Sequence, residues 1–466
     1  MKADRETEER LALLPEAAAR ELRDVVFTPE AGERVRQRLG QGADRKSRRR
    51  WLPAVIGGAA AAAVAAVVLL YPPSLSVKAE NLMKGIQPAA AAGEPLSDDF
   101  KAAAADFSLR LAAAQGSEGN ALVSPLSLYL TLCMLSNGAA GQTQAELEAL
   151  LGFPDTAARN AQCRTLLDRL TQKTEQGRVT FAHSIWFDET FPVSPAFLQT
   201  NADIFSADAY RGDFSSSDTV RDINRWGKFH TDGMIPHLID SLQASDGSGS
   251  LSMALIGAVL FDQKWETPYK KAQILQGLPF YAPERETRAD YLSSTENTFL
   301  QGEGFTGFIK AYQGGTYQFA ALLPDEGSSP EKLLASLDGA AWLSALQNAG
   351  GLVEAYIPKF STDVRLDLQA PLRAMGLLSA FDTGADFSRL TDSPNDVRIS
   401  EAFLQARVEL DENGTKAAAI HFFGLKDGGA APPAQEVRLD RPFVYAIVHA
   451  DTGLPLFIGV LRNPAV

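Results

Sequence analysis

From Trp51 to Tyr71 the chain carries no charged residue and is dominated by alanine, valine and leucine. A helix needs about 20 such residues to cross the hydrocarbon core of a bilayer, so the stretch reads as one transmembrane helix. Trp51 and Tyr71 stand at its two ends, where amphipathic rings favour the membrane interface, and Arg45, Lys46, Arg48, Arg49 and Arg50 lie just before it. The positive-inside rule then keeps the N-terminus in the cytoplasm and exports everything after Tyr71. A cleaved signal peptide is the alternative, but residues 1–50 form too long a polar lead and the apolar stretch is too long for one. A buried core helix would show a polar interruption on some face, and this stretch has none.

The apolar stretch divides the chain into four parts. Residues 1–50 mix charges of both signs around short apolar clusters such as Leu22, Val25, Val26 and Phe27, the pattern of one or two small amphipathic helices on the cytoplasmic side. Residues 72–97 turn to proline, alanine, glycine and serine, which predicts an extracellular linker lifting a domain off the membrane. Residues 98–466 are long enough for one large domain. A hydrophobic content of 45% gives that domain ample core material. The net charge of -13 is spread along the chain, which argues against nucleic acid as a partner because phosphates need concentrated Lys and Arg. Cys133 and Cys163 both fall in apolar, helical segments, so two buried free thiols are expected, with a disulfide as the alternative.

Within the exported part, apolar residues at three- and four-residue spacing predict helices over 100–114, 125–137, 143–151 and 157–171. Alternation or β-branched and aromatic enrichment predicts strands over 179–187, 252–261, 317–323, 351–358, 402–410, 443–449 and 456–461. Helices first and strands afterwards indicate an α+β fold with an antiparallel sheet. Gly302, Gly304 and Gly307 match a dinucleotide-binding pattern, but Phe308 to Tyr312 look extended, and such a site needs a helix N-terminus there. The five histidines show no paired metal spacing, and no nucleophile elbow or phosphate loop is present, so neither an enzyme, a cofactor nor a metal site is expected.

Several stretches, in order and at familiar spacing, carry a resemblance. Ser124-Pro125-Leu126-Ser127 opens a helix as S-P-x-S; Ile223-Asn224-Arg225-Trp226 is followed by Thr231 to Ile235; Phe261 to Glu266 is similar to F-K-G-x-W; Ile357-Pro358-Lys359-Phe360 and Ala385-Asp386-Phe387-Ser388 follow. Near the end, Glu412-Asn413-Gly414-Thr415-Lys416-Ala417-Ala418-Ala419 resembles E-x-G-T-x-A-A-A, and Arg441-Pro442-Phe443 and Phe457-Ile458-Gly459 resemble closing strands. These motifs cover most of 98–464, and the sequence resembles the serpin family, here as a bacterial, membrane-anchored member.

The resemblance implies helices packed on a large central mixed β-sheet with two further sheets, and an exposed reactive loop after a hinge at Glu412, Gly414, Thr415, Ala417, Ala418 and Ala419. It implies a monomeric suicide inhibitor: a serine protease attacks the loop, and the freed loop enters the sheet as a new strand and traps the acyl-enzyme. By strand alternation Thr415, Ala417, Ala419 and His421 share the face that insertion buries. His421 there must be desolvated, so insertion is expected to slow toward acidic pH.

Counting forward from Gly414 places the cleaved bond at Gly428-Gly429, and counting back from Pro442 places it near Ala431-Pro432, so the window runs over Gly428, Gly429, Ala430 and Ala431. Small residues there suit an elastase-like or subtilisin-like protease, while Lys426-Asp427 would suit a trypsin-like one. The sheet-opening region implied by the resemblance comprises Ser124, Ser127, Gly257, Trp265 and Leu404. Gly257 and Leu404 stand where family members carry a bonded Asn and His, which predicts an apolar opening point. The bulky Ile420, Phe422 and Phe423 leave a non-inhibitory surface binding module as the alternative function, and the cytoplasmic segment leaves a signalling sensor as a third.

Overall fold

A computed structural model describes residues 77–89, 93–171, 177–231, 233–235, 237–242, 253–391, 397–399, 402–415 and 435–465. Residues 1–50 and the apolar stretch 51–71 lie outside them. Among the described residues no helix is long and apolar enough to cross a membrane.

The body begins with β1 (Glu80–Asn81), α1 (Asp98–Ala113), β2 (Ala121–Val123), α2 (Pro125–Ser136), α3 (Gly141–Leu151) and α4 (Thr156–Leu170). Next come β3 (Gly177–Asp188), α5 (Pro195–Phe205), β4 (Asp208–Gly212), α6 (Ser217–His230) and β5 (Met253–Lys264). Five strands follow, β6 (Ile274–Tyr281), β7 (Glu286–Glu296), β8 (Phe299–Gly302), β9 (Phe305–Ala311) and β10 (Tyr317–Pro324). Then α7 (Pro330–Ser336) and α8 (Gly339–Gln347) lead to β11 (Val353–Pro358), β12 (Phe360–Asp367), α9 (Gln369–Ala374) and β13 (Phe403–Leu410). The chain closes with β14 (Gly414–Thr415), β15 (Gln435–Arg438), β16 (Phe443–His449) and β17 (Pro455–Leu461).

Local chemistry explains the helix starts. Ser97 accepts a hydrogen bond from Phe100 N at the head of α1, where Asp98 and Asp99 also meet the positive end of the helix dipole. Pro125, which needs no N–H partner, opens α2, and every residue of α2 is buried. That helix is the centre of the molecule rather than a surface helix.

The strands form three sheets, ordered β1-β4-β3-β5-β14-β13-β12, β2-β17-β16-β10-β9-β8 and β15-β11-β7-β6. The largest is mixed, since β3 runs parallel to β4 and antiparallel to β5. Its two faces bury different cores, as a two-residue period requires. Phe261 of β5 joins the main core with α2, whereas Ile256 and Ala254 pack with Trp226 of α6. The glycines at 302–307 form a β8–β9 hairpin, with Gly304 at φ +79° and a strand rather than a helix after it. Cys133 and Cys163 are buried and unbonded.

Part of the linker expected over 72–97 lies against the body of the domain. Lys78 N and Ala79 N donate to the buried Asp222 carboxylate at 2.7 and 2.8 Å, and β1 pairs antiparallel with β4. Glu80 and Asn81 pair with the outer edge of β4, and Leu82 N donates to Ala209 O at 2.9 Å, so this segment covers edge groups that would otherwise be unpaired.

Candidate functional site: the hinge and the open sheet

Two residues, Gly414 and Thr415, are wedged between β5 and β13. Gly414 pairs with Lys264 and Thr415 with Gln263 on one side, and Thr415 with Leu410 on the other. Among the described residues β14 is the only strand between those neighbours, two residues against twelve in β5.

The wedge is built from the turn before it. Asp411 Oδ1 accepts from Asn413 N at 2.7 Å and from Gly414 N at 3.2 Å, an Asx turn that reverses the chain after β13. Gly414 is required by space, because a Cβ there would lie 2.3 Å from Gln263 O and 2.6 Å from Lys264 Cα, both backbone atoms that cannot move aside.

The segment 265–269 then grips the hinge. Trp265 N donates to Asn413 O at 2.9 Å, Tyr269 N to Glu412 O at 2.8 Å, and Trp265 Nε1 to Asp411 O at 2.9 Å. Trp265 is fully buried and stacks on Tyr312, with ring centroids 4.5 Å apart and an interplanar angle of 11°. Tyr312 in turn shares a 2.7 Å hydrogen bond with Thr415 Oγ1, so the one inserted side chain is tied to the core through its hydroxyl. Glu412 forms a 2.6 Å ion pair with Lys359. The hydrogen bond and charge of Lys359 hold the Glu412 carboxyl below its ordinary range.

Farther along β5 the sequence expectation needs correction. Ser124 Oγ donates to Leu456 O at 2.9 Å and fixes the head of α2 on β17. Leu404 is buried on β13. Gly257, however, is not in an apolar setting, since a Cβ there would lie 2.6 Å from Ser127 Oγ and 3.4 Å from Thr131 Oγ1. His183, paired with Gly257 across the β3–β5 ladder, places Nδ1 3.2 Å from Thr131 Oγ1. The opening point is thus polar, and the hydrogen-bonding groups have moved to other elements. Burial lowers the His183 pKa to about 4, which keeps the ring neutral at neutral pH.

The structure therefore brings together Trp265, Glu412, Gly414 and Thr415 at one end of the sheet, and Ser127, Gly257 and His183 farther down. Ala417, Ala418, Ala419, His421 and the window Gly428, Gly429, Ala430 and Ala431 lie outside the described residues. Sequence reasoning missed Tyr312, Lys359, Thr131 and His183. Lys359 sat inside a quoted motif, and the partners of the other three become visible only once the strands are ordered.

Residues 102–464 match the family model described as serpin (serine protease inhibitor). Serpin-Z12 of Oryza sativa subsp. japonica is 29% identical over 380 residues, 76% of this chain and 88% of that protein. Ovalbumin of Meleagris gallopavo is 26% identical, over 74% of this chain and 93% of its own. Among solved structures, that of a thermophilic serpin, tengpin, in the native state superposes with a TM-score of 0.77 at 35% identity, covering 83% of this chain and all of that one. The motifs, the three sheets and the hinge seated between two strands agree with that match over residues 102–464, and this chain belongs to the serpin (serine protease inhibitor) family.

Proposed function

We propose that this chain inhibits an extracellular serine protease as a suicide substrate, by inserting the segment after Thr415 into the largest sheet once it is cut. The observation that carries this is β14, which among the described residues is two residues long between β5 and β13. Continuing its register one residue for one sets Ala417 between Phe261 and Val408, Ala419 between Val259 and Ala406, and His421 between Gly257 and Leu404. Small side chains would meet the buried Phe261, Val408 and Ala406 first. The first larger ring would arrive where Gly257 has no side chain and where Ser127 and Thr131 offer hydroxyls.

The window from Gly428 to Ala431 favours an elastase-like or subtilisin-like target. We further read residues 51–71 as a single-pass anchor holding the domain outside the cell, with residues 1–50 in the cytoplasm.

The test mixes the full-length chain with elastase-, subtilisin- and trypsin-like proteases and looks for a covalent complex that survives denaturant. Intact mass of the released C-terminal peptide locates the bond. In the Gly414→Val control the clash with the β5 backbone should let the loop be cut without trapping the protease. Cleavage by every protease with no complex would favour the non-inhibitory binding module, the reading to which bulky Ile420, Phe422 and Phe423 lend weight.

A further inference from the structure

We propose that Lys310 is a positioning residue for the hinge: its buried ammonium lies against the rings of Tyr269 and Trp265 and fixes the two residues through which the segment 265–269 holds Asp411 to Asn413. This role deepens the inhibitory reading and rests on it only where trapping is concerned.

Lys310 stands where an apolar side chain would bury more easily. The two-residue period of β9 puts it on one face with the buried Phe308 and Tyr312, and it pairs with the buried Phe319 of β10. It is 3% exposed, and lysine is almost never buried so far unless it is paired. Glu296 at the end of β7 supplies the pair, with Oε1 2.7 Å from Lys310 Nζ. Replacing such a pair by apolar residues of similar volume often leaves a protein as stable or more so. Stability is therefore a poor reason for this charge, and its surroundings offer a better one.

Nζ lies 4.6 Å from the ring centroid of Tyr269 and 5.7 Å from that of Trp265, both within reach of cation–π attraction, which is strongest when the cation is desolvated. The two rings meet edge to face, with centroids 6.4 Å apart. Ser294 Oγ, 2.6 Å from Glu296 Oε1 and 3.3 Å from Tyr269 Oη, ties the carboxylate to the far end of Tyr269. One ion pair thus restrains both aromatic residues whose main chains donate to the hinge, Trp265 N to Asn413 O and Tyr269 N to Glu412 O. Trp265 Nε1 adds its own bond to Asp411 O. Loss of the cation would leave the rings their apolar contacts but not the charge that orients them, and the hinge donors would loosen with them.

The full-length chain should be compared with Lys310→Met combined with Glu296→Gln, which removes both charges without stranding either. Lys310→Arg keeps the cation, and a cavity of about 90 Å³ lined by Lys310 and Glu296 leaves room for the larger head. Amide hydrogen exchange over 265–269 reads the grip, and the emission of Trp265, taken as the difference from Trp265→Phe, reads the charge beside its ring. In the double variant exchange over 265–269 should quicken at least about tenfold and Trp265 emission should shift, while the melting temperature and exchange elsewhere stay near those of the parent. Lys310→Arg should exchange within about twofold of the parent. The proposal is overturned if the double variant exchanges and emits like the parent, or if Lys310→Arg loosens 265–269 as much as the double variant does. It is also overturned if the double variant unfolds or exchanges faster throughout the domain, which would make Lys310 a general stabiliser. With a protease that the parent traps, the double variant should form the covalent complex about fivefold more slowly. A parental trapping rate would overturn the proposal, whereas no trapping by the parent would overturn the inhibitory reading and leave the two protease-free measurements to decide the role of Lys310.

Discussion

The six-stranded sheet and the seven-stranded sheet are made of the same kinds of residue and end differently. In the former every residue of β16 and β17 is buried, and the two pair along their length apart from one bulge near Ile447. In the latter β5 is paired with β3 from Met253 to Gln263 on one side, but on the other its partner among the described residues is the two-residue β14. Among the described residues one sheet is paired along its length, and the other holds only Gly414 and Thr415 between β5 and β13. On the proposed mechanism, free energy remains to be released in the joint between β5 and β13 and not in the hydrophobic content of either sheet.

That contrast can be broken at either sheet. Ile458→Ala in β17 should cost about 2–5 kcal/mol, as for other fully buried aliphatic truncations. The loss should be the same before and after loop cleavage, because this sheet does not change; a loss confined to one form would mean that both sheets are remodelled. Acid should act on the seven-stranded sheet. His183 has a folded pKa of about 4 against an ordinary 6.5, so its contribution is complete above pH 6.5 and is lost as pH falls toward 4, by about 3 kcal/mol in all. Midpoints of denaturant unfolding between pH 7 and 4 check this, and His183→Gln should flatten the dependence.

Smaller effects should come from the hinge. Tyr312→Phe leaves Thr415 Oγ1 without its partner, which at about 1 kcal/mol weakens the seating of β14 and slows protease trapping about fivefold; stopped-flow fluorescence of Trp265 would follow it. The smallest effect is that of the Lys359–Glu412 pair. With the Glu412 pKa held down by Lys359, its contribution is present above the ordinary carboxylate range and fades as pH falls below it. Because both side chains are about one-third exposed, Lys359→Met should change stability by at most about 1 kcal/mol.

The six-stranded sheet was the easier to read from sequence. β16 runs over the residues its β-branched and aromatic pattern predicts, 443–449, and β17 differs only by starting at Pro455, because fully buried strands spell continuous apolar runs. β7 was not legible, since its residues alternate between partly buried and exposed without a clean apolar face. β1 was not legible because a two-residue edge strand, Glu80–Asn81, is too short to show any period. At the site, the hinge glycine was visible as part of a motif, yet the reason for it, the backbone of Gln263 and Lys264, lies on a strand about 150 residues earlier. The polar opening point was misjudged for the same reason. Ser127, His183 and Gly257 belong to a helix and two strands, and only the topology sets them side by side.

The most direct measurement is the melting temperature of the full-length chain before and after a single cut between Gly428 and Ala431. If the cut loop completes the seven-stranded sheet, the cleaved protein should melt at a much higher temperature and resist denaturant that unfolds the intact one. An unchanged melting temperature, with the loop shown by mass to be cut, would contradict the account, because the joint between β5 and β13 would then have nothing to gain from a strand.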